Sequence, residues 1–401
     1  LIVFSHDIKR NEISLENFIE KVRPYLNRVK KGGDKEVFDV TRELEGKEGK
    51  YIKGSEIRAK ANLPSDIVES IKVIYEQLLS FNELLRPRDV YSIRNGFRFG
   101  VKWSSIERVG LYVPGGKNVY PSTLLMLTSA ANVAKVKEKV LITPPRGFHL
   151  DPIISYISDI TNIDEILYVS GIAGIAAVGY GTERVRKVDK LFGPGNAYIQ
   201  AAKQIISSEI SIDGIEGPTE LIVLADEKAN PELVAIDAIA QAEHGPLSTI
   251  AIISYSNDTL INIYKYLEQY YTSNMADIYL VKVKSLEDGA RIISDIAPEH
   301  ISLWVSNSDN ILNLINNGGA ISINSPSAAI DYCAGPPHVL PTSGNAKHSG
   351  GISVLSFMKP IMISQIISKK ETEELIKAAI KIAKYEGFLF HSRSLEGVLN
   401  V

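Results

Sequence analysis

The chain is short of several things, and each shortage removes a class of protein. One cysteine, Cys333, in 401 residues leaves no intrachain disulfide framework and fits a reducing compartment. No apolar run reaches the roughly 18–20 residues that span a bilayer. The opening "LIVFSHDIKRNE" has only four apolar residues before a polar, charged stretch, which does not read as a secretory signal. A formal net charge of -3 offers no basic field to nucleic acid or to an anionic membrane. There is no internal repeat with a period of about 20–50 residues and no low-complexity segment. A cytoplasmic globular protein is expected. At 401 residues the chain exceeds one compact core, so two or more domains are expected as well.

What is present is a βαβ rhythm. From about residue 105, "VGLYV" (109–113), "KVLIT" (139–143) and "EILYVS" (165–170) read as buried strands, with helical stretches at 121–135, 152–160 and 173–180. The rhythm resumes with "ELIVLAD" (220–226), a helix over 231–244, "TIAIISY" (249–255), "IYLVKV" (278–283), "HISLWV" (300–305) and "GAISIN" (319–324). Strands alternating with helices predict an α/β fold of two Rossmann-like domains with parallel-rich sheets. The N-terminal hundred residues read as charged and helical. They carry a turn at 30–35 and a helix over 63–85 that starts at Pro64-Ser65-Asp66. A helix over 370–386 precedes "YEGFLFHSRS". With a crossing point near "GIEGPTE" (214–220), the expected division is 1–110 with 220–352 as a larger domain. Residues 111–219 form the second domain, and 353–401 a helical tail.

Three polar clusters could carry chemistry. In "IAQAEHGPLS" (239–248), Gln241 and His244 crowd a helix end stopped by Gly245-Pro246, and Asp237 shares their helix face at i, i+4 and i+7. The pair suits first a helix end whose histidine meets the dipole, with a metal site as the alternative. In "APEHISLW" (297–304), Glu299 and His300 stand at a strand mouth after Pro298. They are either a general-base pair near neutral pH or two polar groups on a surface loop. "SPSAAIDYCAGPPHVLPTSG" (325–344) follows a strand, in the position where parallel sheets place ligands. Asp331, His244 and Gln241 would together give mixed N/O ligation suited to zinc, and His338 adds a nitrogen donor. Cys333 reads as a buried structural thiol. Three glycine turns before helices, in 110–123, 169–183 and 190–203, favour a phosphate or nucleotide ligand, although none matches G-x-G-x-x-G.

Taken together and in order, "GLYVPGG", "VDKLFGPGNAY", "GPTELIVLAD", "AQAEHGP", "APEH", "DY..G..HVLPT" and "EGFLFH" resemble the histidinol dehydrogenase family from about residue 100 to the C-terminus. The resemblance implies an NAD-dependent, zinc-containing enzyme (Zn2+, one per subunit) that oxidises L-histidinol to L-histidine in two steps through an aldehyde. It matches Gln241, His244, Asp331 and His391 to zinc ligands, and Glu299 and His300 to the catalytic pair. Thr219, His338 and Glu386 match substrate contacts beside the metal ligands and His300, and Tyr112 and Asn196 match NAD contacts. By the same resemblance the larger domain carries most of the metal site and 111–219 is NAD-associated. The tail completes the partner subunit's site in a homodimer.

The chain departs from that family at a few places. Ala173 stands where a glutamine commonly contacts NAD, and Thr219 where a serine is usual. Ile330 replaces a glycine and Pro337 an asparagine, and "DGIEGPTE" replaces a more apolar turn. Two other readings stay open: a zinc/NAD-dependent dehydrogenase of another amino alcohol on the same scaffold, and a metal- or nucleotide-binding relative without turnover.

Overall fold

A computed structural model describes residues 1–401 except 6, 12, 58–62, 116, 117 and 401. Gly116 and Lys117 belong to the glycine turn of 110–123, so that part of the turn lies outside the described residues. The chain divides into two compact units, Leu1–Leu85 with Ile106–Phe357 and Arg86–Ser105 with Met358–Val401.

In chain order the elements begin with β1 (Ile2–Ser5), α1 (Glu16–Glu45), β2 (Lys50–Lys53), α2 (Ser65–Leu85), β3 (Val90–Arg94) and β4 (Phe97–Ser105). There follow β5 (Arg108–Tyr112), α3 (Pro121–Val133), β6 (Glu138–Thr143), α4 (Pro152–Ile160), β7 (Glu165–Tyr168), α5 (Gly171–Tyr180), β8 (Lys190–Phe192), α6 (Ala197–Ile206) and β9 (Ser211–Ile212). The next run is β10 (Glu220–Ala225), α7 (Pro231–Ala242), β11 (Thr249–Ser254), α8 (Asn257–Tyr270), β12 (Ile278–Lys282), α9 (Leu286–Ile296), β13 (His300–Trp304) and α10 (Ser308–Leu312). The chain ends with β14 (Ala320–Ile323), α11 (Ala328–Tyr332), β15 (Met358–Ile366), α12 (Lys369–Tyr385) and α13 (Leu389–Asn400).

The first unit holds two six-stranded sheets, ordered β2-β7-β6-β5-β8-β9 and β1-β12-β11-β10-β13-β14. Every pairing is parallel except that of β2 with β7. Strands β10 and β11 are buried throughout, as continuous apolar runs covered on both faces must be. One face of that sheet packs Val234, Ala235 and Ala238 of α7 with Leu260 and Ile263 of α8. The other packs Ala290 and Ile293 of α9 with Ile311 of α10.

The N-terminal segment behaves differently from the expected grouping of 1–110 with 220–352. The stripe Val22, Leu26, Val29, Val37 and Val40 on α1 packs with Ile175, Ala176 and Ala202, on the sheet of 108–212. Strand β2 extends that sheet beside β7, and β1 alone joins the other, beside β12. The turn expected at 30–35 is a break at Gly33, where the backbone leaves helical geometry inside α1.

The second unit is a three-stranded antiparallel sheet, β15-β4-β3, with α12 and α13 packed on each other. Asn95 (φ 51) and Gly96 (φ 73) join β3 to β4, the left-handed pair that a two-residue hairpin turn demands. The helical reading of the first hundred residues and of the tail holds for α1, α2, α12 and α13, but each segment also contributes strands to this sheet, β3 and β4 from the first and β15 from the second. All five residues of β3 are exposed and β15 is mostly exposed, so neither shows the period-two pattern of a half-buried strand. Among the described residues no helix is long and apolar enough to cross a membrane.

Candidate active site

Helix α7 is started by Asn230, whose Oδ1 accepts from the N–H groups of Glu232 and Leu233, and by Pro231 at its first position. It ends at Ala242, so His244 lies just beyond the helix rather than on it, with Gly245 (φ 137) breaking the chain away. Gln241, on the last turn, is buried, whereas His244 and Glu243 are exposed. Gln241 Nε2 donates to Asp331 Oδ2 at 2.7 Å and to Ser327 Oγ at 3.0 Å. Asp237, one turn earlier, accepts from Ser327 N–H and Oγ–H and from Ser302 Oγ–H, each at 2.7 Å. Burial pushes the Asp237 carboxyl above its ordinary range, and the serine donors partly offset this.

His300 opens β13, Glu299 immediately precedes it, and both are buried. His300 Nε2 lies 3.4 Å from Asp331 Oδ1 and 3.9 Å from Glu299 Oε1. Its Nδ1 is buried without a hydrogen-bond partner. Burial lowers the His300 pKa to about 4, with the charge of His244 adding to the effect, so the ring is neutral at pH 7. Burial also raises Glu299 well above the usual carboxylate range, reinforced by the charges of Asp331, Glu220 and Glu216. Asp331 is raised too, again by burial.

His338 is tied on both sides. Its Nδ1 lies 2.9 Å from the Asp331 carbonyl oxygen and its Nε2 2.8 Å from Thr123 Oγ1. A carbonyl only accepts, so Nδ1 carries the proton and Nε2 accepts from the threonine hydroxyl. Burial lowers the pKa of this ring as well. Thr219 is half-buried, and its carbonyl accepts from Thr249 N–H at 2.8 Å.

The structure thus brings Gln241, Glu299, His300, Asp331 and His338 together, with the charge of His244 felt by Asp331, His300 and His338. It does so at the amino ends of β10 and β13. The loop of 325–344, expected to mark the carboxyl edge, instead returns Asp331 to the start of β13. Glu386 and His391 belong to the second unit, exposed at the end of α12 and on α13. Tyr112 is buried at the carboxyl end of β5. Asn196 caps α6, its Oδ1 accepting from the N–H groups of Tyr198 and Ile199. Ala173 is wholly buried in the first turn of α5, and Ile330 fills core space. Cys333 is exposed, not a buried thiol, because it follows the last turn of α11 where the chain leaves the core.

Spacing alone could not show the role of Asp237 or of Glu220. A buried cluster was also missed: Lys203 Nζ lies 2.7 Å from Asp213 Oδ1 and 2.8 Å from Glu216 Oε2, and donates to the Gly193 carbonyl at 3.0 Å. The unusual turn "DGIEGPTE", which supplies both acids, was its one visible sign.

Among the described residues no three His, Cys, Asp or Glu side chains form a ready metal cage. Asp331 nonetheless offers carboxylate oxygens beside the Gln241 carboxamide, whose nitrogen donates to it, and the charge of His244 reaches Asp331. With the amide oxygen of Gln241 these are a partial mixed N/O set of the type that suits zinc, and it needs a further ligand.

A buried imidazole set between two buried carboxyl groups, on a doubly wound α/β scaffold, is a grouping of titratable side chains typical of enzyme sites. The comparisons narrow the class. The sequence profile of histidinol dehydrogenase matches residues 8–397. Histidinol dehydrogenase of Saccharolobus solfataricus is 42% identical over 382 residues, covering 94% of both chains. The Sulfurisphaera tokodaii enzyme of the same name is 42% identical over 385 residues, again covering 94% of both chains. The crystal structure of histidinol dehydrogenase from Elizabethkingia anophelis superposes with a TM-score of 0.91 at 29% identity, covering 99% of this chain and 94% of that one. The chain belongs to the histidinol dehydrogenase family of oxidoreductases.

Proposed function

We propose that this chain oxidises L-histidinol to L-histidine through a bound aldehyde, passing two hydrides to two NAD molecules at a zinc-containing site. The observation that carries the reading is the buried Glu299–His300 pair beside Asp331. Gln241, His244 and Asp331 would hold the metal, with His391 of a second copy completing the set. Bound zinc supplies a fixed Lewis-acidic anchor for the substrate's nitrogen atoms, and bound NAD supplies the hydride acceptor.

The chain's own groups do the rest. His300 takes the alcohol proton at Nε2, the atom that faces both Asp331 and Glu299, and the charge of Asp237 favours the imidazolium formed. For the second oxidation Glu299 takes a proton from water, giving the aldehyde hydrate. A carboxyl raised by burial is the stronger base once ionised. Thr219 and His338 would orient the substrate together with Glu386 of a second copy, His338 exchanging its Thr123 partner for it.

Tyr112 and Asn196 would line the NAD side, at the carboxyl ends of β5 and β8, where open α/β sheets place nucleotides. We assign 220–352 to the metal side and 111–219 to the NAD side. In the second unit Met362, Ile382, Tyr385, Phe388 and Phe390 are exposed, which supports its pairing with a second copy of the chain. A chain with one unpaired thiol suits the cytoplasm.

The test is NADH formation from L-histidinol by the zinc-loaded protein, beside other amino alcohols. Two NADH per histidine formed is the expected outcome. Equal turnover of unrelated amino alcohols would favour the broader dehydrogenase, and no turnover the binding protein.

A further inference from the structure

Asp237 is in a fully committed position. Its Oδ1 takes both the backbone N–H and the hydroxyl proton of Ser327, and its Oδ2 takes the hydroxyl proton of Ser302. A serine hydroxyl has one proton. With that proton given to Asp237, Ser327 Oγ can face Gln241 only as an acceptor. The Gln241 atom that can donate is Nε2, found 3.0 Å away. The Asp331 carboxylate, itself only an acceptor when ionised, takes the other proton of the same nitrogen at 2.7 Å. The carboxamide is planar, so anchoring its nitrogen at two acceptors turns Oε1 the opposite way. If Ser327 were free to donate, it could bond Oε1 instead, and the amide could turn over.

We propose that Asp237 is a positioning residue: through the Ser327 hydroxyl it fixes the Gln241 carboxamide so that oxygen, not nitrogen, is presented to a divalent cation. An amide nitrogen has no lone pair to give a metal, so the orientation decides whether Gln241 is a ligand at all. The inference rests on the metal reading above, and it explains why an acid with no exposure to the site occupies the middle of α7.

The test measures binding rather than turnover. Metal-free protein is titrated with zinc against a chromophoric chelator, comparing wild type, S327A, the nearly isosteric S327C and Q241A, with the thermal midpoint of each metal-free protein recorded. Loss of a group that orients a ligand weakens metal binding by about 10–100-fold. That loss is expected for both S327A and S327C, whereas the metal-free midpoint should fall more in S327A, which leaves the buried Asp237 short of a donor, than in S327C, which keeps a weak one. Cobalt in place of zinc should then show altered visible bands, which a packing defect alone would not produce. If either serine variant folds and binds zinc as wild type does while Q241A binds poorly, the positioning role is overturned and the metal reading stands. If Q241A binds as wild type does, the metal reading falls and the positioning role with it.

Discussion

Glu220 and Glu299 cap each other. Glu220 N–H donates to Glu299 Oε2 at 3.0 Å, and Glu299 N–H donates to Glu220 Oε2 at 3.3 Å. They stand at the starts of neighbouring parallel strands, β10 and β13, whose register pairs Leu221 with His300. The exchange fixes Glu299 in place by its carboxylate as well as its backbone, and sets a second buried acid beside it.

Glu299→Gln keeps the side chain's shape and its acceptor for Glu220 N–H but removes the base. The aldehyde half-reaction should fall by about 100-fold or more while alcohol oxidation is spared relative to it. Single-turnover NADH formation from histidinol and from the aldehyde separates the two. Equal losses in both would remove Glu299 from water activation.

Glu220→Gln takes away one of the charges that raise Glu299. The pKa of Glu299 should fall, so the acid limb of aldehyde oxidation should move to lower pH, with Arg10, 2.7 Å from Glu220, left with less compensation. A pH profile of that half-reaction checks it; a shift to higher pH would contradict the electrostatic account.

His300, lowered to about 4 by burial, remains a neutral base far below the usual imidazole range near 6.5. Protonation of His300 should therefore not limit hydride transfer from the alcohol until the solution is well below pH 6. His300→Asn should slow that transfer by about 100- to 10,000-fold. Stopped-flow NADH bursts across pH measure both, and an inflection near 6.5 that vanishes in the variant would refute the burial argument.

Glu216 is raised to about 7 from an ordinary 4.5, by burial against the partial offset of Lys203. The fold therefore favours its protonated form. That contribution to stability is fully present below 4.5 and is lost as pH rises through 7. Glu216→Gln has no such loss, so its thermal midpoint should gain on wild type between pH 5 and pH 8, by the equivalent of about 1–3 kcal/mol. Melting curves at several pH values test this; a gap that narrows with rising pH would reverse the sign.

The parallel sheets were legible because their strands are apolar runs bounded by turns: "ELIVLAD" and "TIAIISY" became β10 and β11. The antiparallel sheet was not, since β3 is wholly exposed. Its one clear sign was the dipeptide Asn95-Gly96, passed over inside a charged stretch. At the site, residue types and order pointed to Gln241, Glu299, His300, Asp331 and His338, which the fold gathers. Spacing could not reveal that the chain after β14 doubles back to the start of β13. Nor could it reveal that Asp237 works through two serines, because hydroxyl partners 65 and 90 residues away leave no periodic trace. The exposure of Cys333 was missed for a related reason: its flanks are apolar, but α11 is only five residues long and ends just before it.

Strand β1 pairs with β12, joining Ile2 to Ile278, and β15 pairs with β4, joining Phe97 to Ile366. On a ribosome neither edge can close while the chain emerges. The first must wait for most of the polypeptide, the second for nearly all of it, whereas β10 to β14 can assemble as they appear. A nascent chain stalled before residue 278 would carry an unpaired sheet edge and an orphaned hairpin, a form open to aggregation. Closing these two sheet edges requires pairing between segments far apart in the sequence, which forms more slowly than the local pairing of β10 to β14.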